Sequence, residues 1–184
     1  MTGYGQPSDF HRDLEYSKTP GADALIRRVL ASRWPGFEIE KACLTDDKAG
    51  SDYWIMTQRR LGIDIKLRRR DCRGFRDRDG NPVDDVCLEI QSAIGMSDGW
   101  AKQPGRLTDY IVWIWSDSGR SFCLSSHELS QVVRLKETEW LKKYSRKPAT
   151  TARGETSTYA TQCVFVPMSI LNAALSEWRS GEKT

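Results

Sequence analysis

The chain is 184 residues long, with a mass of 21.0 kDa, which is room for a single domain of ordinary size. Apolar residues make up 39% and charged residues 29%, enough to build one core and too much apolar content for wholesale disorder. No apolar run reaches the length of a membrane span, the opening MTGYGQPSDF lacks a signal-peptide core, and the net charge is only +3, so the expectation is a soluble, cytoplasmic protein.

Residues 1–20 read as a polar N-terminal extension, with a short helix around Asp9–Ser17, ahead of a single domain over 21–184. Asp23–Ser32 predicts a helix, ended by Trp34-Pro35-Gly36. Phe37–Leu44 predicts a strand, Thr45–Ser51 a loop, Asp52–Thr57 a second strand and Leu61–Arg69 a third. A polar loop over Asp71–Asp85 contains the turn Asp79-Gly80-Asn81-Pro82, and Val86–Ser92 follows as a strand. The unbroken apolar run Tyr110–Trp115 is the pattern of a strand buried on both faces, with Phe122–Ser125 as its partner across a turn at Asp117–Gly119. Ser126–Tyr144 predicts a helix capped by Ser126. Lys147–Thr158 reads as a loop, Cys163–Val166 as a strand and Ser169–Trp178 as a last helix. The order implies an α/β fold: a mixed central β-sheet flanked by helices.

Charge is concentrated. Between Arg59 and Arg78 stand nine Lys/Arg against Asp64, Asp71 and Asp77, a local +6 that leaves the remainder at −3. Such a focus suits a polyanion at one face, although charge runs are often solvated surface. The cysteines at 43, 72, 87, 123 and 163 form no C-x-x-C pair, which suits reduced thiols in a cytoplasmic protein. With only His11 and His127, a histidine-rich zinc site is disfavoured, and any metal falls to carboxylates, which suits Mg²⁺.

The chemistry gathers on three segments. Gly62-Ile63-Asp64-Ile65-Lys66-Leu67 alternates, so Ile63, Ile65 and Leu67 share one face while Asp64 and Lys66 project from the other. Asp52 opens the preceding strand beside Asp64, and Glu89 and Gln91 share the polar face of the strand over 86–92. Three adjacent strands are thus expected each to offer an acidic residue to one side of a sheet. Crowded carboxylates repel unless a cation joins them, and two that grip Mg²⁺ polarise a phosphate while a lysine orients water. An ordinary solvent-exposed sheet face also alternates, and the position of Asp64 and Lys66 alone does not separate the two readings.

The spacing of Asp52 and Asp64-Ile65-Lys66 resembles the signature of the PD-(D/E)XK nuclease superfamily. The wider run GSDYWI…GIDIKLRRRD…VCLEIQS…GW…TDYIVWIW is similar to small phage and mobile-element members. The resemblance implies a restriction-endonuclease-like α-β-β-β-α-β core, Mg²⁺ or Mn²⁺ as cofactor and hydrolysis of DNA phosphodiester bonds, RNA being the weaker alternative. In one frame Asp52 and Asp64 are metal ligands, Lys66 is the catalytic lysine and Glu89 is an added ligand. In the other, Asp64 is the first acid and Glu89-Ile90-Gln91 is the (D/E)-x-K element with Gln91 replacing lysine. The first frame is favoured because it retains the lysine. No proline precedes Asp52, and Glu15 is only a weak match for the helix glutamate common in the superfamily.

Arg68, Arg69, Arg70 and Arg73 are placed to grip phosphates, or else to pair with Asp71, Asp77 and Asp79; Lys102, beside Trp100, is a further phosphate contact. No membrane partner is expected, and the segment from Cys163 is a candidate homodimer interface. The competing reading is a nuclease fold without turnover that binds nucleic acid or inhibits a protein partner.

Overall fold

The computed structural model describes residues 12, 15–77, 79–105, 107–145, 149–153 and 157–181, with 149–153 and 157–159 described as backbone. It is a mixed α/β structure that falls into two compact units. The first comprises the described residues up to Val83 together with Gly105–Ser125; the second comprises Asp84–Pro104 and the described residues from Ser126 onward.

In the first unit, helix α1 spans Pro20–Arg33. Thr19 caps it by accepting from the Ala22 amide at 3.2 Å, Pro20 occupies the first turn with Asp23, and Arg33 lies in the last turn. Ala22, Ile26, Val29 and Leu30 fall on one helical stripe, and all four are buried. They pack on a five-stranded sheet of order β1-β2-β3-β6-β7, formed by Glu38–Lys41, Tyr53–Met56, Arg60–Arg68, Tyr110–Trp115 and Ser121–Ser125. Ile55, Ile63, Leu67, Val112 and Ile114 supply the sheet side of that core, with Ile65 partly buried against it. The Tyr53 hydroxyl donates to Asp23 at 2.5 Å, tying α1 to β2. All pairings are antiparallel except β3 with β6, which is parallel, so the sheet is mixed.

The second unit has a four-stranded sheet, β5-β4-β9-β8, from Asp85–Ala93 (β4), Ser97–Asp98 (β5), Ala149–Arg153 (β8) and Ser157–Pro167 (β9). Two helices, Ser126–Tyr144 and Met168–Ser180, contact β9 and each other. Val86, Leu88 and Ile90 form the buried face of β4, as their alternation predicts.

Three expectations are overturned. The first predicted strand stops at Lys41, and Leu44–Lys48 forms a short helix, α2, whose first turn holds Asp46 and Asp47, where carboxylates favour the positive helix end. The stretch expected to be a loop over Lys147–Thr158 contributes strand residues to the β8–β9 hairpin. Its β-branched threonines suit a pleated surface better than its polarity implies. Third, the strand bearing Glu89 and Gln91 does not lie beside the strand of Asp64. β2 occupies one edge of β3 and β6 the other, while β4 pairs with β5 and β9. The helix expected on Asp9–Ser17 is described only at residue 12 and over 15–17, all helical; the rest lies outside the described residues.

Candidate active site

The β2–β3 pairing brings two of the predicted acids together. Tyr53 faces Ile63 across the antiparallel pair, and the Asp52 amide donates to the Ile63 carbonyl at 2.8 Å, so Asp52 stands opposite Asp64. The Asp52 carboxylate turns back onto β3 and accepts the Ile65 amide at 2.6 Å. Lys66, one strand repeat beyond Asp64, closes an ion pair with it at 2.8 Å; the lysine side chain is 19% exposed and the aspartate 13%. Ile111, Trp113 and Trp115 of β6 are the register partners of Asp64, Lys66 and Arg68, and all three are buried.

Burial and the neighbouring Asp64 charge push the Asp52 carboxyl up to about 6, against the opposing pull of the Ile65 amide and Lys66. Asp47, on the unexpected helix α2, adds to the same negative field. No periodicity marks a five-residue helix, so Asp47 carried no signal in the sequence.

A backbone seam holds the strand end that carries Asp52. The buried Ser51 hydroxyl donates to the Leu107 carbonyl at 2.5 Å, and the Thr108 hydroxyl donates to the Gly50 carbonyl. Asp109 accepts the Gly62 amide at 2.8 Å and pairs with Arg59 at 3.0 Å. A Cβ at Gly62 would overlap the Leu107 carbonyl, and Gly50 adopts φ +101° against Gly105, so glycine is required at both. Ser51, Gly62, Thr108 and Asp109 therefore shape the site without having been recognised as site residues. Gly50-Ser51 and the glycine two residues before Asp64 were the only visible traces.

The remaining predicted residues fall on several elements. Glu89 and Gln91 lie on β4 of the second unit, both partly buried. Among the described residues, no group of three or more His, Cys, Asp or Glu is arranged to hold a metal ion. Lys102, expected to meet phosphate, is 8% exposed, with its ammonium 2.6 Å from Asp98 and 2.9 Å from Glu137. Arg73 pairs with Asp71 at 3.0 Å. Arg68 donates to the Leu67 carbonyl, Arg69 is partly buried, and Arg70 is exposed. All five cysteines are free thiols, Cys72 buried and Cys43 exposed. Glu15 is exposed on a helical turn.

No family model matches the chain, and no curated protein or solved structure gives a significant match.

Proposed function

We propose that Asp52, Asp64 and Lys66 form a metal-dependent phosphodiesterase centre that cleaves DNA, in the manner of the PD-(D/E)XK nucleases that the motif resembles. The observation that carries this reading is the opposition of Asp52 and Asp64 across β2 and β3 with Lys66 on the same face. The parallel strand β6 beside β3, with α1 on the other sheet face, supports a restriction-endonuclease-like core. Between β3 and β6 the described chain builds β4 and β5 where the resemblance implies a helix.

The donor set suits Mg²⁺ or Mn²⁺. Both ions take hard oxygen ligands, and Mg²⁺ is commonly held by one or two carboxylates with water and substrate phosphate completing the shell. Asp52 and Asp64 would supply those carboxylates, and a bound ion would polarise the scissile phosphate and acidify a water. The chain's own contributions follow from its geometry. The Ile65 amide fixes the Asp52 carboxylate, so little reorientation is needed. The Lys66 ammonium, in partial shelter from solvent, offsets charge growing on phosphate oxygens or orients the attacking water. The buried face of Ile111, Trp113 and Trp115 excludes water from one flank. A cytoplasmic location is part of the same reading, consistent with five free thiols.

A module that binds without turnover is the competing reading; the strand of Glu89 pairs with β5 and β9 and not with β3, so the pairing itself brings only Asp52 and Asp64 together. Crystals soaked in Mn²⁺ discriminate. Anomalous density between Asp52 and Asp64 supports the catalytic centre, whereas its absence, with intact DNA binding, selects the module.

A further inference from the structure

The basic segment is two sets of arginines with different employment. Asp71, almost fully buried, accepts from Arg120 at 2.8 Å, Arg73 at 3.0 Å and Ser118 at 2.7 Å. Arg120 also lies over the Trp115 ring, 3.8 Å from its centroid. Burial alone would raise the Asp71 carboxyl; hydrogen bonds from Arg120, Arg73 and Ser118 outweigh it and hold the group far below the usual range. The Asp117 carboxylate takes the Asp71 amide at 2.8 Å, and Asp77 takes the amides of Asp79 and Asn81. Two of the acids that were candidates to neutralise the arginine run, Asp71 and Asp77, are therefore occupied by Arg73, Arg120 and backbone.

Three cations are left over. Arg68 and Arg76 donate only to backbone carbonyls, of Leu67 in one case and of Arg73 and Phe75 in the other. Arg70 is exposed, and none of the three has a carboxylate within ion-pair distance among the described residues. The backbone beneath them is pinned. The Ser116 amide donates to the Arg68 carbonyl at 2.8 Å, the Asp117 amide to the Arg69 carbonyl at 3.2 Å, and the bridge between Arg76 and Pro82 closes the following loop. Arg68 also shares its strand face with Asp64 and Lys66.

We propose that Arg68, Arg70 and Arg76 form a phosphate-binding track for a nucleic-acid backbone, anchored by an Asp71–Arg73–Arg120 clasp that itself touches no phosphate. This deepens the nuclease reading and rests on it for the choice of nucleic acid as the polyanion. Three cations without carboxylate partners fit a repeating phosphodiester, and no carboxylate among the described residues competes for them.

Binding of a labelled duplex DNA, measured in EDTA over a range of salt concentrations, tests the division without requiring cleavage. Each of Arg68→Gln, Arg70→Gln and Arg76→Gln is expected to weaken binding roughly eightfold at about 0.1 M salt and to lower the salt slope by about 0.9. Arg73→Gln is expected to leave the slope unchanged while lowering the melting temperature. An equal loss of slope in Arg73→Gln, or unchanged slopes in the other three, overturns the proposal. Salt-dependent binding that follows this pattern, with no cleavage when the same DNA is supplied with Mn²⁺ in place of EDTA, sustains the track and sinks the nuclease reading; cleavage in Mn²⁺ with flat slopes does the reverse. If acidic polypeptide competes for the track as well as DNA does, the assignment to nucleic acid fails.

Discussion

At the scale of single residues, burial and the Asp64 charge hold the Asp52 carboxyl above its ordinary range. An unfolded aspartate titrates near 3.9 and the folded one at about 6, so between these values the native state binds the extra proton. Metal-free stability should therefore fall as pH rises from about 4 to 6 and stay low above that. Asp52→Asn keeps an oxygen for the Ile65 amide and removes the charge. In EDTA at pH 7.5 it is expected to melt above wild type, with the gap closing by pH 4; parallel melting curves across that range would contradict the account. Asp71 runs in the opposite sense. Its contribution is complete above the ordinary carboxylate range and is lost as pH falls through its lowered folded value. Asp71→Asn should cost about 3 kcal/mol at neutral pH, read from denaturant midpoints, because Arg73 and Arg120 lose their shared acceptor.

At the scale of elements, the seam joining residues 49–51, Gly62 and 105–109 sets the position of the Asp52 strand end. Gly62→Ala pushes a methyl group into the Leu107 carbonyl and is expected to cost about 3 kcal/mol, with Mn²⁺ affinity falling at temperatures where the variant remains folded. Unchanged stability would show that the loop yields. Elements with strong local signals were legible: the Tyr110–Trp115 strand and the Ser126–Tyr144 helix match their predicted bounds residue for residue. The first owes this to an unbroken apolar run, the second to its amphipathic stripe. The Asp52–Asp64 opposition was equally legible, because only Thr57–Arg59 separates the two strands and alternation sets the face. Helix α2 was not, since five residues carry no period, and the hairpin of β8 and β9 was hidden by a polar, threonine-rich composition.

At the scale of the whole molecule, the sheet that the strand of Glu89 joins was hidden. Its strand looked like the next neighbour of Asp64 in sequence order, but strand pairing is decided by non-local partners, and β4 found β9 far downstream. Nothing in local composition marks Val83 as the point where the chain leaves one compact unit or Gly105 as the point of return. The partners of Lys102 were hidden for a related reason. A lysine in a Gly/Trp segment looks exposed until Asp98 and Glu137 close on it from separate elements. Lys102→Met leaves those carboxylates without their cation and should destabilise the protein by about 3 kcal/mol with unchanged affinity for duplex DNA in EDTA. A weakened salt slope would return Lys102 to the phosphate contacts.

The proposed chemistry is the action of Asp64 and Lys66 on a phosphodiester bond. Its most direct test is the rate of plasmid nicking in Mn²⁺ by wild type, Asp64→Asn and Lys66→Met at equal concentration. Wild type should nick, and each variant should fall by about a hundredfold or more while still folded. Equal nicking by all three would contradict the claim.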